Sequence, residues 1–117
     1  MHFAISTTWG PTDVTRGAIP FVFAASALQA DDTVMIMLFH DAVTIALEGA
    51  HQKMIPFGPP SRFEEVFAHP NAEIVVCKPC AEIRGITEDM LVQGATFGGM
   101  NDFHAHASRE GAKLINF

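Results

Sequence analysis

Two cysteines are the residues of this chain best suited to covalent chemistry. Cys77 and Cys80 lie in the segment Cys-Lys-Pro-Cys, where a predicted strand, 72–77, meets a predicted helix. Ligands of open α/β sheets bind beyond the carboxyl ends of the strands, so a reactive thiol is expected at this position. The N–H groups of the helix N-terminus and the neighbouring Lys78 favour a thiolate over a thiol. We therefore expect the pKa of Cys77 to lie below that of a free cysteine.

Three interpretations of this segment stay open on the residues alone. In the first, both thiols are small buried hydrophobic side chains. In the second, Cys77 and Cys80 form a redox pair of the thioredoxin type, although that fold has its motif early in the chain after an aromatic residue, and here it follows Val76. In the third, Cys77 is a nucleophile that attacks a sulfane sulfur and holds it as a persulfide.

A histidine and an aspartate end the strand that precedes the cysteine strand. His40 and Asp41 follow the apolar run 33–39, whose length and polar boundaries favour a strand buried on both faces. If both side chains lie at the same sheet edge as Cys77, His40 would stabilise a thiolate or relay a proton. The simpler interpretation is a polar strand end followed by a helix cap.

Arg84, Trp9 and Lys78 are candidates for substrate binding at the same edge. Arg84 has a planar guanidinium that can bind a sulfonate or carboxylate, although an ion pair with Glu82 or Glu88 would occupy it equally well. Trp9 follows the first predicted strand, so its ring either lines the site or packs against a neighbouring chain. Lys78 adds a positive charge directly beside the first cysteine.

Two histidines near the end of the sequence are the remaining candidates for metal binding. With the cysteines, His104 and His106 give the pattern C-x2-C-x23-H-x-H. Structural zinc sites usually separate their histidines by about three to five residues, and residues two apart on a helix diverge. We therefore predict no metal, and place both histidines on the polar surface of the last helix. The sequence also lacks G-x-G-x-x-G and a Walker loop, so we predict no nucleotide or other cofactor.

Composition limits the classes of partner. The chain has 117 residues and a net charge of −6. This length is typical of one domain, which is predicted to span 1–117. The acidity argues against nucleic acid and anionic membranes as partners. No apolar run reaches the ~18 residues of a membrane span, and there is no secretory signal, so we expect two reduced thiols in a cytoplasmic protein.

The apolar content favours self-association. Hydrophobic residues make up 49% of the chain. The predicted helices carry more phenylalanines than a small core readily buries: Phe21, Phe23, Phe63, Phe67 and Phe103. We predict a homotrimer or a multiple of it, in which each site lies near a neighbouring chain.

Strands and helices alternate along the chain, which favours parallel β-α-β units with right-handed crossovers. The predicted strands are 2–8, 33–39, 72–77, a short piece at 94–99, and 113–117. The predicted helices are 14–30, 42–50, 62–68, 80–84, a short one capped by Thr87, and 103–109 capped by Asn101 or Asp102. The pattern predicts an α/β fold: a small three-layer domain with a mostly parallel sheet of about five strands and helices on both faces.

Local signals refine this prediction. Pro20 should kink the first helix or mark a restart, because it removes one helical hydrogen bond. Residues 55–60 are a proline-rich loop, and Ser61 with Glu64 has the pattern of a capping box.

These pieces, in this order, resemble the DsrE/DsrF-like (YchN-like) family of small sulfur-relay proteins over nearly the whole chain. Four segments carry the resemblance: ISTTWGPTDVTRG before an alanine-rich helix, LFHDAV at the end of the apolar strand, VVCKPCAEIRGI, and a glycine-rich stretch before the last helix and strand. The third segment keeps the Cys-x7-Gly spacing of the family. The sequence His40-Asp41-Ala42 departs from the commoner Asp-Gly pairing.

The resemblance implies a Rossmann-like parallel sheet, and trimers or hexamers of paired trimers. It implies that Cys77 carries sulfur as a persulfide or bound thiosulfonate, and Cys80 matches a second cysteine found in some members. We therefore expect a sulfur-relay protein that takes sulfane sulfur from a donor protein and passes it to an acceptor protein. Such a carrier would be a transfer protein rather than a turnover enzyme. A dithiol oxidoreductase using Cys77 and Cys80, and a non-catalytic oligomeric module that binds a small anion, stay open as alternatives.

Overall fold

Five strands and four α-helices alternate along the described part of the chain, residues 1–54 and 61–117 of a computed structural model. The strands are β1 (His2–Thr7), β2 (Thr33–Leu38), β3 (Ala72–Cys77), β4 (Ala95–Gly98) and β5 (Lys113–Asn116). The helices are α1 (Val14–Gln29), α2 (Ser61–Ala68), α3 (Lys78–Ile83) and α4 (Met100–Ala107). Short 3₁₀ helices lie at His40–Ala46, His51–Lys53 and Glu88–Met90. The predicted proline-rich loop at 55–60 and the predicted cap by the Ser61 side chain lie outside what the structure describes.

The strands form one sheet in the order β4-β3-β2-β1-β5, and every neighbouring pair is parallel. Parallel neighbours need a crossover connection, which the intervening helices supply. β2 occupies the middle of the sheet and is buried from Val34 to Leu38, so both of its faces are covered. The predicted α/β fold with a parallel sheet of about five strands is confirmed.

Helices cover both faces of this sheet. On β1, Phe3 packs edge-on against Phe23 of α1, with ring centroids 5.1 Å apart. The preceding residue, His2, stacks instead on His106 of α4, also at 5.1 Å. Successive residues of a strand point to opposite faces, so α1 and α4 lie on opposite sides of the sheet.

The phenylalanines of the first two helices complete a core within one chain. Phe21 of α1 packs against Phe63 and Phe67 of α2, with ring centroids 4.8 and 5.4 Å apart, so α2 shares the α1 face. All three side chains are buried, and Phe23 and Phe103 are half-buried. The core of one chain therefore buries three of the five rings and leaves Phe23 and Phe103 partly exposed.

Two helices begin earlier than the sequence predicts. The helix predicted at 80–84 begins at Lys78, because Pro79 fits the first turn, where its missing N–H costs no hydrogen bond. The helix predicted at 103–109 begins at Met100, so neither Asn101 nor Asp102 is its N-cap. The Asp102 carboxylate instead accepts a hydrogen bond from the Gly99 N–H at 2.8 Å.

Two other helices differ from their sequence predictions, one in its continuity and one in its helix type. α1 runs through Pro20 without a restart, and this proline is itself buried. The helix predicted at 42–50 is a 3₁₀ helix at His40–Ala46, which follows the end of β2 almost directly. None of the helices within residues 1–54 and 61–117 has both the length and the hydropathy that crossing a bilayer requires.

A chain of polar side chains joins β1, β2, β3 and α4. His2 Nδ1 lies 2.7 Å from the Thr33 hydroxyl, and His2 Nε2 lies 3.0 Å from Nδ1 of His106. The other ring nitrogen of His106 lies 2.8 Å from the Glu73 carboxylate. Burial lowers the pKa of His2, and the positive charges of Arg109 and His106 lower it further.

Acidification is expected to destabilise the protein in part through His2. Its pKa in the folded protein lies below the ordinary value of 6.5, so the unfolded chain binds more protons as the pH falls. The free energy of unfolding should be highest above pH 6.5 and should fall as the pH drops toward the lowered pKa. Denaturant titrations across this range should give a shallower pH slope for His2→Gln. The exposed His104 offers the control His104→Asn, and equal slopes for His2→Gln and the unmodified protein would contradict the prediction.

Candidate functional site

Cys77 and Cys80 lie one helical turn apart at the carboxyl edge of the sheet. Cys77 is both the last residue of β3 and the N-cap of α3, and it is buried, with 7% of its surface exposed. Cys80 lies in the first turn of α3 and is half-buried, and both thiols are free. The last four residues of β3, from Ile74 to Cys77, are all buried, so the strand itself fixes the position of Cys77.

His40 brings the end of β2 into contact with Cys80. Its backbone N–H donates a hydrogen bond to Cys80 Sγ at 3.3 Å. The backbone of His40 has a φ of +53°, which is a left-handed conformation. This conformation costs a residue other than glycine about 1–3 kcal/mol. The left-handed turn at the start of the 3₁₀ helix thus accompanies a direct N–H···S contact between the end of β2 and the first turn of α3.

Arg84 fastens this turn to α3. Its Nη2 donates to Asp41 Oδ1 and lies the same distance, 2.7 Å, from His40 Nδ1, while Nη1 donates to the Cys80 carbonyl at 3.0 Å. An arginine nitrogen can only donate, so His40 Nδ1 is the acceptor and its proton lies on Nε2. The hydrogen bond from Arg84 holds the pKa of the Asp41 carboxyl below its usual range. Arg84 therefore pairs with Asp41 rather than with Glu82 or Glu88.

The loop after β1 packs against the same turn through a residue that the sequence analysis did not single out. A Cβ added to Gly10 would lie 2.6 Å from the Asp41 carbonyl oxygen, closer than side chains approach backbone, so only glycine fits there. In the sequence, the Trp-Gly-Pro segment was the signal that could have drawn attention to this glycine. Trp9 itself is 39% exposed, and Arg16 lies over its ring at 4.2 Å from the centroid. The contact between this loop and the turn at His40 and Asp41 is thus made by Gly10.

The thiol of Cys77 does not have the low pKa expected from its sequence neighbours. Burial raises its pKa above the ordinary value of 9.0, and the Cys80 side chain raises it further. The positive charge that opposes this rise belongs to Arg84, whereas the Lys78 side chain is exposed to solvent. The prediction of a thiolate near neutral pH is therefore wrong, because desolvation outweighs the local charges.

The structure brings together five of the seven residues predicted for the site. We call this group, Cys77, Cys80, His40, Asp41 and Arg84, the cysteine site. Trp9 and Lys78 flank it without a hydrogen bond or ion pair to it in the described structure.

The C-terminal histidines lie away from the cysteine site. His106 is buried against His2 and Glu73, and His104 is exposed, so the prediction that both lie on a polar surface is wrong for His106. Within residues 1–54 and 61–117, no three His, Cys, Asp or Glu side chains are grouped so that they could hold a metal ion.

Comparison with known proteins identifies the family. Residues 1–117, the whole chain, match the DsrE/DsrF-like family. This chain is a member of the DsrE/DsrF-like family. An uncharacterized protein of Methanocaldococcus jannaschii is 27% identical over 120 residues, which cover 100% of both proteins. An uncharacterized protein of Methanopyrus kandleri is 30% identical over 82 residues, which cover 68% of this chain and 64% of that protein.

Solved structures show the same fold. The crystal structure of the ychN protein from E. coli superposes with a TM-score of 0.80 at 21% identity, covering 99% of this chain and 97% of that one. A protein of unknown function from Methanobacterium thermoautotrophicum superposes with a TM-score of 0.68 at 12% identity, covering 99% and 96%. The resemblance to the DsrE/DsrF-like family that the sequence predicts is confirmed.

Proposed function

We propose that this DsrE/DsrF-like protein is a sulfur carrier, which receives sulfane sulfur on Cys77 from a donor protein and passes it to an acceptor protein. The observation that carries the proposal is the position of Cys77. It ends β3 at the carboxyl edge of a parallel sheet, beside a second thiol and a turn held by Arg84. Ligands of open α/β sheets bind at this edge, and the family is one in which sulfur relay is expected.

The reaction at Cys77 is a displacement on sulfur. The thiolate attacks the outer sulfur of a donor persulfide, a new S–S bond forms on Cys77, and the donor leaves as a thiolate. Because burial raises the pKa of Cys77, the thiol must lose its proton as the donor docks. The proton passes to the departing donor thiolate, so no oxidant or reductant is consumed. The same steps in reverse order transfer the sulfur to an acceptor thiolate.

The neighbouring residues have supporting roles in this proposal. Cys80 modulates Cys77 through its adjacent sulfur, and the His40 N–H holds that sulfur in place at 3.3 Å. Arg84 and Asp41 keep the turn and α3 together. Trp9 and Lys78, on the flanks, would contact the incoming donor.

A dithiol oxidoreductase is the second candidate, favoured by the closeness of the two cysteines across one helical turn. In that reaction Cys80 would displace the group bound to Cys77, and a Cys77–Cys80 disulfide would form. A module that binds small anions is less well supported, because the Arg84 guanidinium is already engaged by Asp41.

Tetrathionate followed by intact mass measurement separates these functions. The Cys77 thiolate displaces thiosulfate from tetrathionate and retains the other half as a bound thiosulfonate. A carrier should keep that adduct after desalting and lose it when reductant is added. A redox pair should instead lose two hydrogens as the disulfide forms, with tetrathionate reduced to two thiosulfates. An unchanged mass would leave only the binding module.

The proposal also includes an oligomeric state for the protein. We propose a homotrimer or a hexamer of paired trimers in the cytoplasm. Large apolar side chains remain exposed on the chain, including Ile83 at 83% and Met100 at 62%, on the two helices that follow β3 and β4. Light scattering coupled to gel filtration should give the mass of three or six chains. A monomer at micromolar concentration would contradict this prediction.

A further inference from the structure

The two edges of the sheet, formed by β4 and β5, differ in what happens to their backbone polar groups. Along a strand, the N–H and C=O groups of successive residues point to opposite sides, so an edge strand uses only every second residue to pair with its neighbour. The remaining residues direct their N–H and C=O groups outward, where a strand of another molecule can pair with them.

The edge at β4 is closed by the chain itself. The outward N–H groups of this strand belong to Ala95 and Phe97. The Ala95 N–H donates to the Val92 carbonyl at 3.2 Å, and the Phe97 N–H donates to the Glu88 carboxylate at 2.9 Å. Both outward donors of β4 are therefore in use, and this edge is protected against the addition of another strand.

The edge at β5 is open. Phe117, directly after this strand, donates its N–H to the Ser6 carbonyl of β1 at 2.8 Å. By alternation, Leu114 and Asn116 then direct their N–H and C=O groups away from β1. Within the described parts of the chain, neither of these two N–H groups has a hydrogen-bond partner. The Leu114 side chain is also 52% exposed, so this edge offers both free donors and apolar surface.

The free donors of β5 have a symmetric arrangement. The preceding residue in the alternation is Ala112, and its N–H already donates to the Arg109 carbonyl at 3.0 Å. The free N–H groups are therefore those of Leu114 and Asn116, one on each side of Ile115. A two-fold axis at Ile115 places Leu114 of one copy opposite Asn116 of a second copy. Such antiparallel pairs exchange both of their N–H···O bonds, so every free group on this edge gains a partner.

We propose that β5 pairs antiparallel with β5 of a second copy of this chain, about a two-fold axis at Ile115, so that the two sheets join into one. The occupant is a second copy because the free groups of one edge match those of another in number and spacing. Since the β4 edge is closed, β5 of one copy cannot add to β4 of the next. Association through β5 therefore ends with a pair and does not grow into a fibre.

Side chains and charge suit this pairing. Ile115 lies opposite its own copy in a non-hydrogen-bonded pair, in which Cα atoms approach to about 4.5 Å and side chains are closest. The residues of β5, Lys-Leu-Ile-Asn, include no carboxylate, so two chains of net charge −6 meet here without opposing acidic side chains. Lys113 lies opposite Phe117 of the second copy. The two lysines are then roughly 14 Å apart along the strands, beyond the screening length of ~8 Å at physiological salt.

The contact at β5 is separate from the sulfur chemistry and from the trimer proposed above. A strand pair of four residues is small beside the roughly 800 Å² per partner of a standard interface, so an isolated pair should dissociate on dilution. In a hexamer of paired trimers the same contact is repeated between the two trimers, and the copies strengthen one another.

Cysteine cross-linking tests the register. Ile115→Cys places two thiols at the axis, at a Cα separation that a disulfide spans, whereas Lys113→Cys on the same strand holds them too far apart and is the matched control. Each variant is oxidised and digested with trypsin, and mass spectrometry identifies the linked peptides with Cys77 and Cys80 left in place. We expect two linked 114–117 peptides from Ile115→Cys, and at least about tenfold less cross-link from Lys113→Cys. Equal yields, or no cross-link in Ile115→Cys, would overturn the proposal.

A proline variant tests the free donors. Leu114→Pro removes an outward N–H and leaves the bonds to β1 intact, because an edge strand tolerates proline where its N–H faces solvent. Leu114→Ala keeps the N–H and is the control, and circular dichroism checks that both variants fold. By light scattering at one concentration, Leu114→Pro should have half the mass of the unmodified protein, and Leu114→Ala should keep the full mass.

The masses also separate this proposal from that of the trimer. A mass of six chains that falls to three in Leu114→Pro supports both, and a mass of two that falls to one supports the β5 pair and contradicts the trimer. A mass of three that Leu114→Pro leaves unchanged overturns the β5 pair and leaves the trimer standing. If β5 instead takes a strand of a different protein, the purified chain shows neither the cross-link nor the change in mass, and the proposal is overturned.

Discussion

Cys77→Ser is expected to abolish sulfur loading completely, whereas Cys80→Ser should leave most of it. The reason is position: Cys77 ends β3 at the sheet edge, and Cys80 contacts it from the first turn of α3. A serine hydroxyl cannot form the S–S bond that holds the sulfur, so the loss at Cys77 should be all-or-none. Both variants are treated with polysulfide, desalted and weighed by mass spectrometry.

Each cysteine variant is the control for the other, because each removes one sulfur atom from the same turn. The buried position of Cys77 calls for a folding check on Cys77→Ser by circular dichroism. Loading that survives in Cys77→Ser and disappears in Cys80→Ser would reverse the proposed roles. Loss of loading in both variants would show that the two thiols act as a unit, as in the dithiol oxidoreductase.

Alkylation of Cys77 should be slow at neutral pH and should speed up only at alkaline pH. Burial raises the pKa of this thiol above 9.0, and only the thiolate reacts. The rate at neutral pH falls about tenfold for each unit by which the pKa rises. In a Cys80→Ser background, the midpoint of the pH–rate curve should therefore lie above the value measured for the urea-unfolded chain.

Arg84→Met supplies a matched test of the electrostatic cause. The positive charge of Arg84 lowers the pKa of Cys77, so its removal should move the alkylation midpoint further toward alkaline pH. Lys78→Met, at an exposed position, should move it less. A midpoint near neutral pH in the folded protein would show that local charge outweighs burial, and would contradict this account of the thiol.

The strands could be predicted well because each has a local signature. The span of β3, 72–77, agrees with its predicted bounds, since an apolar run between polar residues and a Lys-Pro pair has few alternatives. β2 was predicted to within one residue for the same reason. Together these strand ends explain why Cys77 and His40 could be placed at one edge before the structure was known.

The contacts that build the cysteine site could not be predicted, because they join residues far apart in sequence. Arg84 has two glutamates near it in the chain, yet it pairs with Asp41, which only the parallel pairing of β2 and β3 brings close. Gly10 is required by its approach to the Asp41 backbone, a feature of three dimensions. The pKa of Cys77 was predicted in the wrong direction, because charged neighbours can be read from a sequence and the depth of burial cannot.

The most direct test of the sulfur carrier is to follow one labelled sulfur atom on and off Cys77. The protein is loaded with isotopically labelled polysulfide, desalted and digested with trypsin. Both cysteines remain on one peptide, because trypsin does not cleave between Lys78 and Pro79. Fragment ions that break between the cysteines then place the label, and cyanide added to a parallel sample converts carried sulfane sulfur to thiocyanate. The account predicts one labelled sulfur on Cys77 and an equal amount of labelled thiocyanate. An unlabelled Cys77, or a Cys77–Cys80 disulfide with no thiocyanate, would contradict it.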